Sequence, residues 1–375
     1  MNRRVIGLLS FGHLTVDLYA GALPALLFVL RPTLHLSYFL VGLASLVFTI
    51  TSSVIQPLFG YLSDRKHMAE LLPIGCVLCA LGLCVASRAS SFLVLLALIS
   101  LCGCGSALYH PEAAKTAAFF SGDRRASAMA LFSVGGSIGY ACGPGIFLLL
   151  HDHAWNVAPF VLFAFGFAVM IWLAFACGPL RRGVALHLAG RRETHEPVAW
   201  TVLAGVLSIV AIRAWVQTGL VLYLPYWVQR AGHGIGPGFF VSAFLFSGVA
   251  GTLAVGPLAD RFGARRVLVV SMLPLTPLLL LFLLLNGFPA LLTLAVFGAC
   301  LLSTFSVTVV MAQELISHRQ GMAAGLSNGF ASGIGALGSL ATGALADHLG
   351  LATAFVMLSL LPLLALRQSL SLPTR

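Results

Sequence analysis

Gly256-Pro-Leu-Ala-Asp-Arg-Phe-Gly-Ala-Arg-Arg266 ends one long apolar run and begins the next. A shorter copy, Gly60-Tyr-Leu-Ser-Asp-Arg-Lys66, holds the same place about half a chain earlier. One inter-helix loop repeated at that distance marks a duplicated membrane bundle.

The composition agrees. The chain is 59% hydrophobic and 9% charged, whereas a soluble domain carries about 25% charged residues. Lipid is the solvent that fits. Closed β-barrels also satisfy every backbone group in a bilayer, but their strands alternate apolar and polar residues, and these runs are continuously apolar. At roughly 20 apolar residues per crossing, twelve spans fit: 5–30, 37–62, 70–87, 92–118, 125–150, 155–178, 198–229, 237–259, 266–285, 289–315, 320–345 and 350–367. The expected architecture is an all-α membrane protein of two pseudo-symmetric six-helix bundles. They occupy 1–178 and 198–375, joined by a basic linker at 179–197 that carries Arg181, Arg182, Arg191 and Arg192.

The net charge of +10 raises the question of nucleic acid. The cations instead sit in short loops between apolar runs, so none is expected as a partner. With the N-terminus inside, 16 of the 21 Lys and Arg fall on the cytoplasmic side. Only Arg31, Arg88 and Arg230 fall outside, while Lys115 and Arg213 lie within spans. The positive-inside rule then puts both termini in the cytoplasm. No cleavable signal peptide is expected, because the first apolar run is long enough to span. All eight Cys lie in apolar runs. Cys76 and Cys79 have metal-motif spacing but read as small packing residues on a spanning helix.

The repeat extends beyond the loop. Asp123-Arg-Arg-Ala-Ser-Ala-Met-Ala-Leu-Phe-Ser133 before span five matches Ser317-His-Arg-Gln-Gly-Met-Ala-Ala-Gly-Leu-Ser327 before span eleven. Glycine-rich helices follow both. Glycine lets helices approach closely, and a moving contact is expected at Gly139, Gly143 and Pro144, with static packing as the alternative.

The 6+6 duplication, the basic linker and the loop at 256–266 together resemble the major facilitator superfamily. Gly139-x-x-x-Gly143-Pro144 resembles the span-five motif of its exporters, while Ile99 stands where span four usually carries Arg. Gly12-His-Leu-Thr-Val-Asp17, Tyr109-His-Pro-Glu112, Phe132-Ser-Val-Gly-Gly136 and Gln313-Glu-Leu315 with Gly321-Met-Ala-Ala-Gly325 resemble the fosmidomycin resistance branch. The resemblance implies the major facilitator fold, with a cavity lined by spans one, four, seven and ten. It also implies proton-driven efflux of a compound such as a phosphonate antibiotic.

Ionisable residues inside spans cost about 2.5–3.5 kcal/mol each at a helix centre and are functional candidates by default. His13 and Asp17, four apart, share a helix face. A histidine beside a carboxylate suits proton exchange near neutrality, the alternative being a buried pair that pins packing. Glu112 joins them as a proton-coupling candidate. Arg213 lies in span seven at roughly the position of Asp17 in the other half. Its permanently charged planar fork suits carboxylate or phosphonate oxygens, so it reads as an anion anchor or as the ion-pair partner of Asp17. Gln217, Tyr19, Trp215, Tyr223 and His110 complete the expected substrate-binding set, and Trp227 reads as an interfacial anchor. His110, Glu112 and Lys115, around the helix-kinking Pro111, equally suit an inner gate or a structural ion pair. Glu314 reads as an interface charge.

The resemblance implies that Asp64 with Arg65 and Asp260 with Arg261, together with Gly256, latch the cytoplasmic side, the alternative being simple topology-setting charge. Each acid is placed to cap a neighbouring helix N-terminus. His151-x-His153 is too small a set for a metal site. The expectation is therefore a secondary transporter of a small anionic or drug-like solute, working by alternating access. It would be monomeric, would lie in the bacterial inner membrane, and would need no cofactor or metal beyond the proton gradient. A proton-coupled uptake symporter and a lipid or lysolipid transporter are the alternatives. An enzyme is not expected, since no His-Glu-x-x-His or nucleophile–base pair occurs.

Overall fold

The computed structural model describes residues 1–56, 58–59, 68–122, 125–185, 200–315 and 320–372, and every regular element among them is helical. In chain order these are α1 (Arg3–Thr33), α2 (Tyr38–Val54), α3 (Leu71–Ala86), α4 (Phe92–Phe119), α5 (Arg125–Ala154) and α6 (Ala158–Ala185). The second set is α7 (Trp200–Ala231), α8 (Pro237–Phe262), α9 (Ala264–Leu284), α10 (Gly287–Leu315), α11 (Gln320–Leu349) and α12 (Leu351–Ser371). Nine of the described helices are long and apolar enough to cross a membrane, and α2 and α3 are shorter apolar helices. The twelfth, α11, runs for 30 residues.

Local sequence explains several boundaries. Asn2 caps α1 by accepting from the Val5 amide at 3.3 Å, and Ser91 caps α4 by accepting from Val94 at 3.4 Å. Gly263 and Gly350 turn the chain between α8 and α9 and between α11 and α12 with φ of +86° and +83°, which only glycine adopts freely. Large apolar side chains such as Phe175 (81% exposed) and Leu284 (80%) face outward, as expected for helices whose surroundings are lipid.

The chain forms two compact units. One comprises Met1–Leu36 with Val47–Arg191, the other Ser37–Leu46 with Arg192–Arg375. Within the first, α1 packs on α5 and α3 on α4; within the second, α7 packs on α11 and α8 on α10. Glycine makes each approach possible. A Cβ at Gly75 of α3 would lie 2.6 Å from the Gly105 carbonyl of α4, and one at Gly251 of α8 would strike the Ala299 backbone of α10.

Sequence alone would keep Ser37–Leu46 with the first six helices. It belongs instead to the second unit, and Asp347 at the end of α11 is the reason. Its two carboxylate oxygens accept from the Tyr38 and Phe39 amides, each at 2.8 Å. That carboxylate caps the N-terminus of α2 from a distant helix and meets the positive end of its dipole. Tyr223 of α7 adds its hydroxyl to the Tyr38 and Ser339 carbonyls at 3.0 and 2.9 Å.

Candidate functional site

In the first unit, α1 brings His13 and Asp17 onto one face, and the fold adds His110 from α4. His13 Nε2 lies 3.2 Å from Asp17 Oδ2, and His110 Nε2 lies 3.0 Å from Oδ1. One carboxylate is thus held between two imidazoles, which meet edge to face with centroids 4.9 Å apart. The other ring nitrogens are anchored to backbone. His13 Nδ1 donates to the Phe132 carbonyl of α5 at 2.9 Å, and His110 Nδ1 to the Ser106 carbonyl at 2.8 Å. The Phe132 ring stacks on His13 at 4.3 Å. The Asp17 side chain remains 20% exposed and that of His110 23%.

The α1–α5 glycine seam makes this geometry possible. At Gly135, Gly139 and Gly143 an added Cβ would meet the backbone of Ser10, Leu14 and Leu18, and at Gly21 it would meet the backbone of Tyr140. Gly136 faces the cluster itself, where a Cβ would lie 2.6 Å from Asp17 Oδ2. Gly139 and Gly143 thus lie in a close-packed seam inside one unit, and it carries Phe132 to His13. Pro144 lies within α5.

In the second unit, Arg213 of α7 is 4% exposed. One guanidinium nitrogen, Nη1, donates to Gln217 Oε1 at 2.8 Å, and the fork lies 5.0 Å from the centre of the Phe305 ring. Among the described residues, buried Arg213 Nε has no hydrogen-bond partner. Among the described residues no carboxylate lies within ion-pair distance of this cation. The partners described for Arg213, Gln217 and Phe305, lie in its own unit.

The remaining candidates separate. Tyr19 is fully buried and donates to the Leu162 carbonyl at 2.7 Å, and Tyr223 is fully buried with its hydroxyl engaged as above. Both are scaffold rather than free lining groups. Trp215 donates Nε1 to Thr342 Oγ1 at 3.0 Å and lies against Gly338. Glu112 is completely buried, with Lys115 Nζ at 4.0 Å. His110, expected among the substrate-binding residues, is joined to Asp17. Asp64, Arg65 and the rest of the first loop copy lie outside the described residues, as do the side chains of Asp260 and Glu314 and the surroundings of Gly256. Arg261 lies over the Phe262 ring at 5.2 Å, and Arg265 donates to the Ser369 and Leu370 carbonyls. His151 pairs with Asp152 at 2.9 Å, and His153 donates to the Leu149 carbonyl.

An all-helical fold of two compact units is the setting in which the sequence comparisons are read. The family profile of the Major Facilitator Superfamily fits residues 9–251 and 236–367. The chain belongs to the Major Facilitator Superfamily. The MFS-type transporter YfnC of Bacillus subtilis is 31% identical over 379 aligned residues, covering 96% of this chain and 91% of the relative. The fosmidomycin resistance protein of Escherichia coli is 30% identical over 370, with the same coverage. Among solved structures, a bacterial homologue of the human lysosomal transporter Spinster, inward-facing and occupied, superposes with a TM-score of 0.75 at 14% identity. It covers 98% of this chain and 96% of its own. The nucleoside transporter NupG superposes with a TM-score of 0.74 at 15% identity, covering 99% of both. This Major Facilitator Superfamily member is a multi-pass membrane transporter of small molecules and not an enzyme.

Proposed function

We propose that this transporter exports a small anionic solute, with a phosphonate such as fosmidomycin as the first candidate, in exchange for protons. The observation that carries the reading is Arg213. A buried guanidinium with an orphaned Nε and no carboxylate near it among the described residues is costly unless an anion comes to it. A phosphonate offers three oxygens to the planar fork. Gln217 steers the guanidinium through Nη1, and Phe305 covers one face of its plane.

The proton half of the cycle belongs to His13, Asp17 and His110, the partly exposed titratable cluster of the first unit. Alternating access would expose each site to either face of the membrane in turn. The energy source is the proton gradient, with no cofactor. The distribution of Lys and Arg supports both termini in the cytoplasm, and a bacterial inner membrane is the setting that goes with this reading. The relative named for fosmidomycin resistance, at 30% identity over nearly the whole chain, supports the substrate class and the export direction.

The test is calorimetric binding of fosmidomycin to purified protein and to Arg213→Gln. Losing charge-assisted hydrogen bonds worth about 1.5–3 kcal/mol weakens binding by roughly 10- to 150-fold. Equal affinity in the two proteins would remove Arg213 as the anchor. Binding of nucleosides or lipids, with none of phosphonates, would replace the substrate class.

A further inference from the structure

We infer that the His13–Asp17–His110 cluster is a two-proton device, with one proton held in each histidine–carboxylate contact, so that two protons move per transport cycle. The inference rests on the proton-coupled reading above and adds its stoichiometry.

The argument follows from what each nitrogen faces. A backbone carbonyl can only accept. The Phe132 and Ser106 carbonyls, at 2.9 and 2.8 Å, therefore require a hydrogen on Nδ1 of His13 and of His110. The Ser106 hydroxyl, 3.2 Å from His110 Nδ1, shares that hydrogen. With the single hydrogen of a neutral ring placed at Nδ1, Nε2 presents a lone pair. In both rings that lone pair points at a carboxylate oxygen, at 3.2 and 3.0 Å. Two lone pairs at that distance repel. Each contact becomes a hydrogen bond only when a proton lies in it, either as imidazolium donating to carboxylate or as carboxylic acid donating to imidazole.

The contacts use different oxygens, Oδ2 for His13 and Oδ1 for His110. A carboxylic acid carries one hydrogen, so it can serve only one of them. Satisfying both takes two protons, with a cluster charge of +1; releasing both to water as hydronium leaves −1. No second charged group offsets this among the described residues. The other titratable groups that act on the carboxylate or are acted on by it are Tyr109 of α4, Tyr140 of α5 and Cys79 of α3. Carbonyl anchors on two different helices, α4 and α5, make the count a property of the fold and not of one rotamer.

Flux reversal in proteoliposomes reads the count directly. With fosmidomycin as solute and the membrane potential abolished by an ionophore, two coupled protons balance an about hundredfold solute gradient per pH unit, and one balances about tenfold. The wild type is expected near hundredfold and His110→Gln near tenfold. A tenfold balance in the wild type, or an unchanged balance in His110→Gln, overturns the inference. The second arm needs no transport. NMR of isotope-labelled histidine and aspartate in the purified wild-type protein at mildly acidic pH is expected to show a proton in each contact: both rings protonated on both nitrogens, or one such ring together with a protonated Asp17 carboxyl. A ring bare at Nε2 beside an ionised Asp17 carboxyl, or a ring carrying its hydrogen at Nε2 with Nδ1 bare, overturns it. So does a stoichiometric divalent metal found by elemental analysis, since the three atoms lie within 4.8 Å of one another. The NMR arm decides the proton count even if fosmidomycin is not carried, so failure of the substrate assignment shows separately as absent flux.

Discussion

Replacing Gly136 with alanine probes the cluster through its tightest neighbour. The new Cβ would lie 2.5 Å from His13 Cε1 and 2.6 Å from Asp17 Oδ2, where ordinary contact begins at 3.4 Å. His13 Nε2 lies nearest of all, so the two groups must retreat by roughly 0.8–1.0 Å. The intruding methyl stands beside the His13–Asp17 contact, which starts at 3.2 Å. A retreat of that size takes it beyond hydrogen-bond range. The lost charge-assisted bond is worth about 1.5–3 kcal/mol, or roughly 10- to 150-fold in the population of the proton-loaded state. The His110 contact uses the other oxygen and survives. Gly136→Ala should thus fold, as judged by size-exclusion profile, and should keep substrate counterflow, which needs no net proton movement. It should lose at least about tenfold in flux driven by a pH gradient. Gradient-driven flux equal to wild type would refute the claim that this contact couples protons to transport.

Gly139→Ala should differ in kind, because its Cβ meets the Leu14 backbone and not a side chain. The helices must part, at a cost of about 1–3 kcal/mol, seen as a lower melting temperature in detergent. Asp347→Ala removes both acceptors from the N-terminus of α2. A lost cap costs about 0.5–2 kcal/mol, and hydrogen exchange at the Tyr38 and Phe39 amides should accelerate while α1 amides are unchanged. Tyr223→Phe removes the hydroxyl on the Tyr38 and Ser339 carbonyls. It should lower stability by about 0.5–1.5 kcal/mol with fosmidomycin affinity unaltered, whereas a large loss of affinity would return Tyr223 to the binding site.

The architecture was legible because lipid imposes it. Continuous apolar runs, the loop repeated at 60 and 256, and the skewed cations are all one-dimensional signals. His13 and Asp17 were legible for the same reason, since a spacing of four is local to one helix. His110 was not, because its partner lies 93 residues away. The neighbouring Pro111, Glu112 and Lys115 suggested a local charged segment instead. Asp347 carries no sequence signal of its role, since nothing marks the backbone amides of Tyr38 and Phe39 as its target. Tyr19 and Tyr223 show a further limit. A tyrosine near polar residues can turn its hydroxyl to a cavity or to a carbonyl on the next helix, and only packing decides which. The glycines of span five were visible as a close approach, but only the structure shows that the partner is α1 in the same unit.

The most direct test of the exchange mechanism uses proteoliposomes with a pH-sensitive dye inside, to which fosmidomycin is added outside with no initial gradient. The account predicts that the lumen becomes alkaline as solute enters, that an imposed inward proton gradient drives solute out, and that Asp17→Asn abolishes both responses while retaining counterflow. Acidification of the lumen on solute entry would mean that proton and solute travel together, and would contradict exchange.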